Sequence, residues 1–300
     1  MVGSALVRHL PANYEAFVMD RTQLDLEDHS EVLKYFKLHR FDVVILAAAK
    51  VGGIQANATR QYDFLLKNLK IQNAVMEASV NTKVKSFVFL GSSCVYPKFA
   101  NQPISEEDLL AGKLEETNDG YALAKIAGIR LARAIFDEHQ LQYFSLMPTN
   151  LYGPNDNFDD FSSHVPAALM KKFHNAKVSG EKEVVVWGSG KPRREFMHVD
   201  DMARACWHML DQNVGGELIN VGTGVDMEIN EFAKLVAKVV GFTGSIVYDT
   251  SKPDGTPQKL LDSKKIHSYG WKHQVNLEDG LRQTYSWLIN ELRKGKIRGF

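Results

Sequence analysis

Polar and apolar positions along this chain switch between two periods. Residues 42–47, Asp-Val-Val-Ile-Leu-Ala, are almost continuously apolar and β-branched, the pattern of a strand covered on both faces of a parallel sheet. Further short runs at 86–90, 143–147, 183–187, 218–221 and 245–248 predict strands, and so does a run at 15–19. Between them apolar residues recur at helical spacing. The spacing predicts a helix from Asp28 or Ser30 through Leu38, a long one over 57–79, one entered at Asn118 and Asp119 and running through Ile135, one through Phe232 and Val239, and a last one near 277–292. Residues 1–7 read as the opening turn of a helix, and 106–111 as a short one. Strands and helices alternate from residue 15 to 147, which implies right-handed crossovers and a doubly wound parallel α/β sheet. Beyond Gly153 the alternation loosens. The expected division is a sheet domain over 1–153, to which 183–224 partly returns, and a smaller lobe over 154–300. Apolar residues on the 57–79 and Tyr121 helices suit either core packing or dimerisation.

Composition removes whole classes of function. Lys plus Arg and Asp plus Glu both number 36, so no net field draws nucleic acid or an acidic membrane. Three hundred residues suffice for one large domain with a lobe, and 44% hydrophobic with 24% charged residues is ordinary for a globular chain. Only Cys94 and Cys206 are present, without metal-ligand spacing, so neither a disulfide framework nor a metal site is expected. No apolar run approaches the roughly 20 residues of a membrane span, and nothing reads as a signal peptide; a cytoplasmic protein is the expectation.

Candidate chemistry gathers around two stretches. Tyr121 and Lys125 are four residues apart at the start of a predicted helix, so both lie on one face, where the lysine ammonium can stabilise a phenolate. Ser92 follows the strand at 86–90, at the end where open α/β sheets hold ligands. Taken alone, a Tyr-x-x-x-Lys pair is more often an ordinary amphipathic pair. Small residues 47–53 after the next strand let a flat ligand approach the backbone, or simply make a tight turn. After the run at 15–19, Asp20 favours the ribose hydroxyls of NAD and Arg21 the extra phosphate of NADP; both also suit a solvated turn.

Strand, Gly91-Ser92-Ser93-Cys94, the Tyr121 helix and Pro148-Thr149-Asn150-Leu151-Tyr152-Gly153-Pro154 together resemble the extended short-chain dehydrogenase/reductases. The stretches 47–54, 91–98, 147–154 and 252–257 resemble more closely the GDP-L-fucose synthase family, and the last lies in the lobe rather than in the part all such reductases share. That resemblance implies a Rossmann-like fold and an NADPH-dependent enzyme without metal. It implies epimerisation of GDP-4-keto-6-deoxy-mannose at carbons 3 and 5, reduction at carbon 4, and a homodimer built on the 57–79 and Tyr121 helices. It implies that Cys94 and His164 exchange protons, that Tyr121 and Ser92 hold the ketone oxygen, and that Lys125 binds the nicotinamide ribose and keeps the phenol acidic. Cofactor contacts fall on Gly3, Arg21, Leu24, Ala47, Ala48, Leu90, Gly91, Ser92, Tyr121, Lys125, Pro148, Thr149, Asn150, Leu151 and His164. The nucleotide-sugar positions fall on Lys172, Trp187, Arg194, Asp254 and Lys259. Members of the family begin with a strand and Gly-x-x-Gly-x-x-Gly, of which only Gly3 is matched, so a truncated or misassigned start is expected.

Two rivals accompany this reading. Another nucleotide-sugar epimerase, dehydratase or reductase uses the same fold, because fold does not fix substrate; a simple 4-epimerase needs no second acid-base pair such as Cys94 with His164. An inactive binding protein is the rival from outside enzymology, and an intact Ser92, Tyr121 and Lys125 speak against it.

Overall fold

The computed structural model describes residues 1–252, 254–295, 297, 299 and 300. Among these the elements run α1 (Val2–Arg8), α2 (His29–His39), β1 (Val43–Leu46), α3 (Ile54–Thr59), α4 (Gln61–Asn81), β2 (Ser86–Leu90), α5 (Asp119–His139), β3 (Gln142–Pro148), β4 (Asn150–Tyr152) and α6 (Val165–Ser179). There follow β5 (Glu183–Trp187), β6 (Arg193–His198), α7 (Val199–Leu210), β7 (Leu218–Val221), β8 (Asp226–Glu228), α8 (Ile229–Val240), β9 (Ser245–Asp249), β10 (Gln258–Lys259), α9 (Lys264–Ser268) and α10 (Leu277–Arg293).

The main sheet has the order β1-β2-β3-β7 and is parallel throughout, with Val44 beside Phe87, Phe87 beside Tyr143 and Leu146 beside Ile219. Its β2 buries both faces, as a continuous apolar run should. Phe87 and Phe89 pack against α2, α4 and α5, with Val32, Phe36, Val75, Ile126 and Ile129. Val88 and Leu90 face the opposite layer of α1 and α7, with Leu6, Met202 and Cys206. A separate apolar cluster joins α6, α8 and α10 through Phe173, Phe232, Val236 and Leu288. A second sheet runs β10-β6-β4, with β8 antiparallel to β6, and β5 pairs with β9.

Four local expectations are corrected. Residues 15–19 form no strand: they are irregular, and Phe17 and Val18 are exposed. A strand needs a neighbouring ladder, and among the described residues nothing pairs with 15–19, while β1 pairs only with β2. The helix expected over 57–79 is two helices, α3 and α4, because Arg60 leaves helical geometry at φ −134° and ψ 38°. Asn118 makes no side-chain cap on α5. Instead Gln61 Oε1 accepts from Gly120 N at 3.3 Å, so α4 supplies the cap. The short helix expected at 106–111 is a single 3₁₀ turn, Glu106–Asp108. Pro253 of the 252–257 stretch and Lys296 and Arg298 of the basic tail lie outside the described residues.

Candidate active site

Strand β2 ends at Leu90, and the chain turns at once. Gly91 is buried where a Cβ would collide with the Met147 sulfur, so a larger residue there would have to displace that side chain. Ser92 then starts a 3₁₀ turn, Ser93–Val95, its Oγ accepting from Cys94 N at 3.3 Å. Tyr96 anchors that turn from below: its side chain is fully buried and its hydroxyl donates to Asn220 Oδ1 at 2.6 Å. Helix α5 packs on α4 so closely that a Cβ at Gly120 would come within 2.8 Å of Gln61 O. The first turn of α5 brings the Tyr121 phenol close enough to Ser92 and Cys94 for both to act on its pKa.

Burial pushes the Tyr121 phenol pKa up, the nearby Cys94 adds to the rise, and the Ser92 hydrogen bond opposes it. The Lys125 ammonium donates to Leu90 O at 2.7 Å and lies 4.8 Å above the Phe89 ring, against 5.9 Å from the Tyr121 ring centre. In this structure the ammonium is engaged by Leu90 O. Burial decides the phenol, and it also pulls the lysine itself down to about 8.

Across the cleft stand β6 and β10. Their parallel register sets Lys259 beside Arg194, and Lys259 Nζ lies 3.6 Å from Cys94 Sγ. Burial lowers the Arg194 pKa, partly opposed by the charges of Cys94 and Asp254. Asp254 accepts from Ser189 N at 2.6 Å and from Ser189 Oγ at 2.8 Å, which fixes the loop after Trp187. Trp187 is 53% exposed, with Lys172 5.2 Å and Lys252 5.6 Å above its ring. Lys172 also donates to Val185 O at 3.1 Å, and burial lowers its pKa.

His164 reaches the same cleft through its neighbours. It is the N-cap residue of α6 but spends no side-chain atom on the cap. Gly53 N donates to Ser162 O at 3.0 Å, and a Cβ built on Gly255 lies 3.6 Å from both Ile54 and Arg194. The loops at 52–54, 162–164 and 254–255 thus close one ring with β6. The His164 ring remains reachable from solvent, yet the packing around it disfavours the imidazolium and lowers its pKa.

The residues expected at a dinucleotide divide into two groups. Ala47, Ala48, Leu90, Gly91, Ser92, Tyr121, Lys125, Pro148, Thr149, Asn150 and Leu151 all lie at or just past the carboxyl ends of β1, β2 and β3, or on the first turns of α5. This end fits a nicotinamide riboside. Among the described residues the buried Lys125 ammonium spends one donor, on Leu90 O, and keeps others for ribose hydroxyls. Four lie elsewhere, of which His164 has been described above. Gly3 is in the first turn of α1, Leu24 is buried in the core, and Arg21 is turned to Glu27 at 2.7 Å. Asp20 is occupied by the turn it makes, accepting from Thr22 N, Thr22 Oγ1 and Gln23 N.

One positioning residue escaped sequence reasoning. Glu195 is fully buried between Arg194 and Phe196, and burial raises its carboxyl pKa. Its Oε1 accepts from Thr223 N and Gly224 N, and its Oε2 from Leu261 N. Its carbonyl accepts from Thr149 Oγ1 and Asn150 Nδ2. One residue thus ties β7, the segment after Lys259 and the 149–150 turn together. No sequence signal marked it, because Arg193-Arg194-Glu195 reads as an ordinary solvated charge run.

Known proteins share this architecture. The model of the NAD dependent epimerase/dehydratase family matches residues 1–222. The chain is 53% identical over 298 residues to a putative GDP-L-fucose synthase 2 of Arabidopsis thaliana, covering 99% of this chain and 91% of that one. It is 49% identical over 310 residues to the GDP-L-fucose synthase of Escherichia coli strain K12, covering 100% of this chain and 96% of that one. A GDP-L-fucose synthetase of Naegleria fowleri bound to NADP superposes with a TM-score of 0.88 at 28% identity, covering 97% of this chain and 92% of that one.

Proposed function

The chain belongs to the NAD dependent epimerase/dehydratase family, and we propose that its activity is that of a GDP-L-fucose synthase. It converts GDP-4-keto-6-deoxy-D-mannose to GDP-L-fucose with NADPH, by epimerisation at carbons 3 and 5 and reduction at carbon 4. The observation that carries this reading is the meeting of Ser92, Cys94 and Tyr121 at the end of β2, faced by Arg194 and Lys259. A ketone needs a base and an acid beside it for epimerisation, and a proton donor at its oxygen for both epimerisation and reduction.

Each side chain has a part in this scheme. Cys94 takes a proton from the carbon next to the ketone, and the electron pair moves onto the carbonyl oxygen held by Tyr121 and Ser92. His164 gives a proton back on the other face. The raised phenol pKa keeps Tyr121 protonated near neutral pH, ready to donate to the oxygen that becomes the alcohol. NADPH, when bound, supplies the hydride, and Lys125 holds its ribose. Trp187 offers a flat face and Lys172, Arg194 and Lys259 positive charge for the GDP moiety, while Asp254 fixes the loop beside them.

This reading extends to a homodimer through α4 and α5, whose exposed Tyr62 and Leu123 would be covered by the second copy. It also assigns the enzyme to the cytoplasm. No helix among the described residues is long and apolar enough to cross a membrane.

Tyr121→Phe tests the assignment. Loss of a positioned acid should slow NADPH consumption by about 10²–10⁴-fold while nucleotide-sugar binding holds. Consumption within a few-fold of wild type would remove Tyr121 from the mechanism.

A further inference from the structure

The cysteine at the end of β2 has a cation against its sulfur. Lys259 Nζ lies 3.6 Å from Cys94 Sγ, and the lysine is held there by backbone pairing rather than by a flexible loop. Register in the β10–β6 pair sets Arg194 beside it, and Arg194 also acts electrostatically on Cys94. The groups facing the sulfur from the surrounding elements are thus Lys259 of β10, Arg194 of β6 and Tyr121 of α5. Asp254 draws on Arg194 from the loop before β10. Two cations and a neutral phenol make this face of the cleft electropositive at the sulfur.

We propose that Lys259 is a positioning residue for epimerisation, acting through Cys94 by holding its sulfur as the thiolate. This goes beyond a contact with the nucleotide-sugar, and it rests on the proposed role of Cys94 as a proton acceptor. A neutral thiol is a poor base, and an opposite charge within about 4–6 Å favours the ionised form. In the step, the substrate C–H bond breaks and an S–H bond forms on Cys94. The electron pair passes to the carbonyl oxygen, and Lys259 remains an ammonium throughout. His164 then protonates the other face of that carbon, and when the thiol releases its proton to solvent the ion pair with Lys259 is restored.

The test reads the thiol directly, without substrate. Cys94 is half-buried and open to a small alkylating agent, whereas Cys206 is fully buried with its pKa pushed up to about 12, so it stays silent. The rate of iodoacetamide alkylation is followed against pH for the wild type, Lys259→Met, Lys259→Gln and Lys259→Arg. Loss of the charge should move the alkylation midpoint up by about one pH unit or more in the Met and Gln variants. Lys259→Arg should restore the wild-type midpoint. At saturating nucleotide-sugar, deuterium uptake from solvent at carbons 3 and 5 should fall about tenfold or more in the uncharged variants and recover in Lys259→Arg. A midpoint unchanged in both uncharged variants would overturn the proposal, as would a shift that Lys259→Arg fails to restore. Failure of the underlying role reads differently: Cys94→Ser would keep full deuterium uptake, whatever the alkylation profile of Lys259 variants.

Discussion

Lys125 is a buried cation, 4% exposed, with its ammonium on a backbone carbonyl. Its pKa falls from 10.5 to about 8 on folding. Below about pH 8 the lysine is charged in both the folded and the unfolded chain, and the folded state bears the burial cost. Between about 8 and 10.5 the folded lysine is neutral while the unfolded one still binds its proton, so this cost fades as pH rises. Wild type should therefore gain stability relative to Lys125→Met, on the order of 2 kcal/mol between about pH 7 and pH 10. Urea unfolding of the protein without cofactor measures this, and a difference that stays constant with pH would contradict it. The sequence placed Tyr121 and Lys125 on one helical face, because spacing alone fixes that. It did not show which partner the ammonium takes, because Leu90 O arrives from another element thirty-five residues away. The Lys259 contact with Cys94 was hidden for the same reason, spanning 165 residues.

Elements were legible where an apolar pattern was long or buried on both sides. The strands β2 and β3 and the helices α2, α5, α8 and α10 lie where periodicity put them, since their own apolar residues make the core. The segment at 15–19 has the composition of a strand, but hydrogen-bond pairing is supplied by neighbours and not by composition. Between α3 and α4 the break at Arg60 is a backbone change that periodicity does not record. Helix α5 carries a test of how tightly the site is built. A Cβ on Gly128 would run into the Phe89 ring, whose other neighbour is the Lys125 ammonium. Gly128→Ala should cost about 1–3 kcal/mol through overpacking, even though alanine favours the helix by up to about 1 kcal/mol. A denaturation midpoint at or above wild type would mean that α5 and β2 have slack between them.

On the scale of the whole molecule, the site lies where the main sheet meets the second sheet. Strand ends of β1, β2 and β3 bring the residues that were readable from motifs, while β6 and β10 bring Arg194, Lys259 and the buried Glu195 from beyond residue 190. That second half was readable only by resemblance, and Glu195 not at all, because its partners at 149–150, 223–224 and 261 are assembled by the fold. The central claim is that one cleft performs both proton exchange and reduction. Its most direct measurement is a single reaction of wild-type enzyme with GDP-4-keto-6-deoxy-D-mannose and NADPH in deuterium oxide, with the product examined by mass spectrometry and proton NMR. The account predicts GDP-L-fucose carrying deuterium at both carbon 3 and carbon 5, with one NADPH oxidised for each sugar formed. NADPH oxidation that yields a reduced sugar with neither position labelled would show a simple reductase, and the epimerising roles of Cys94 and His164 would fall.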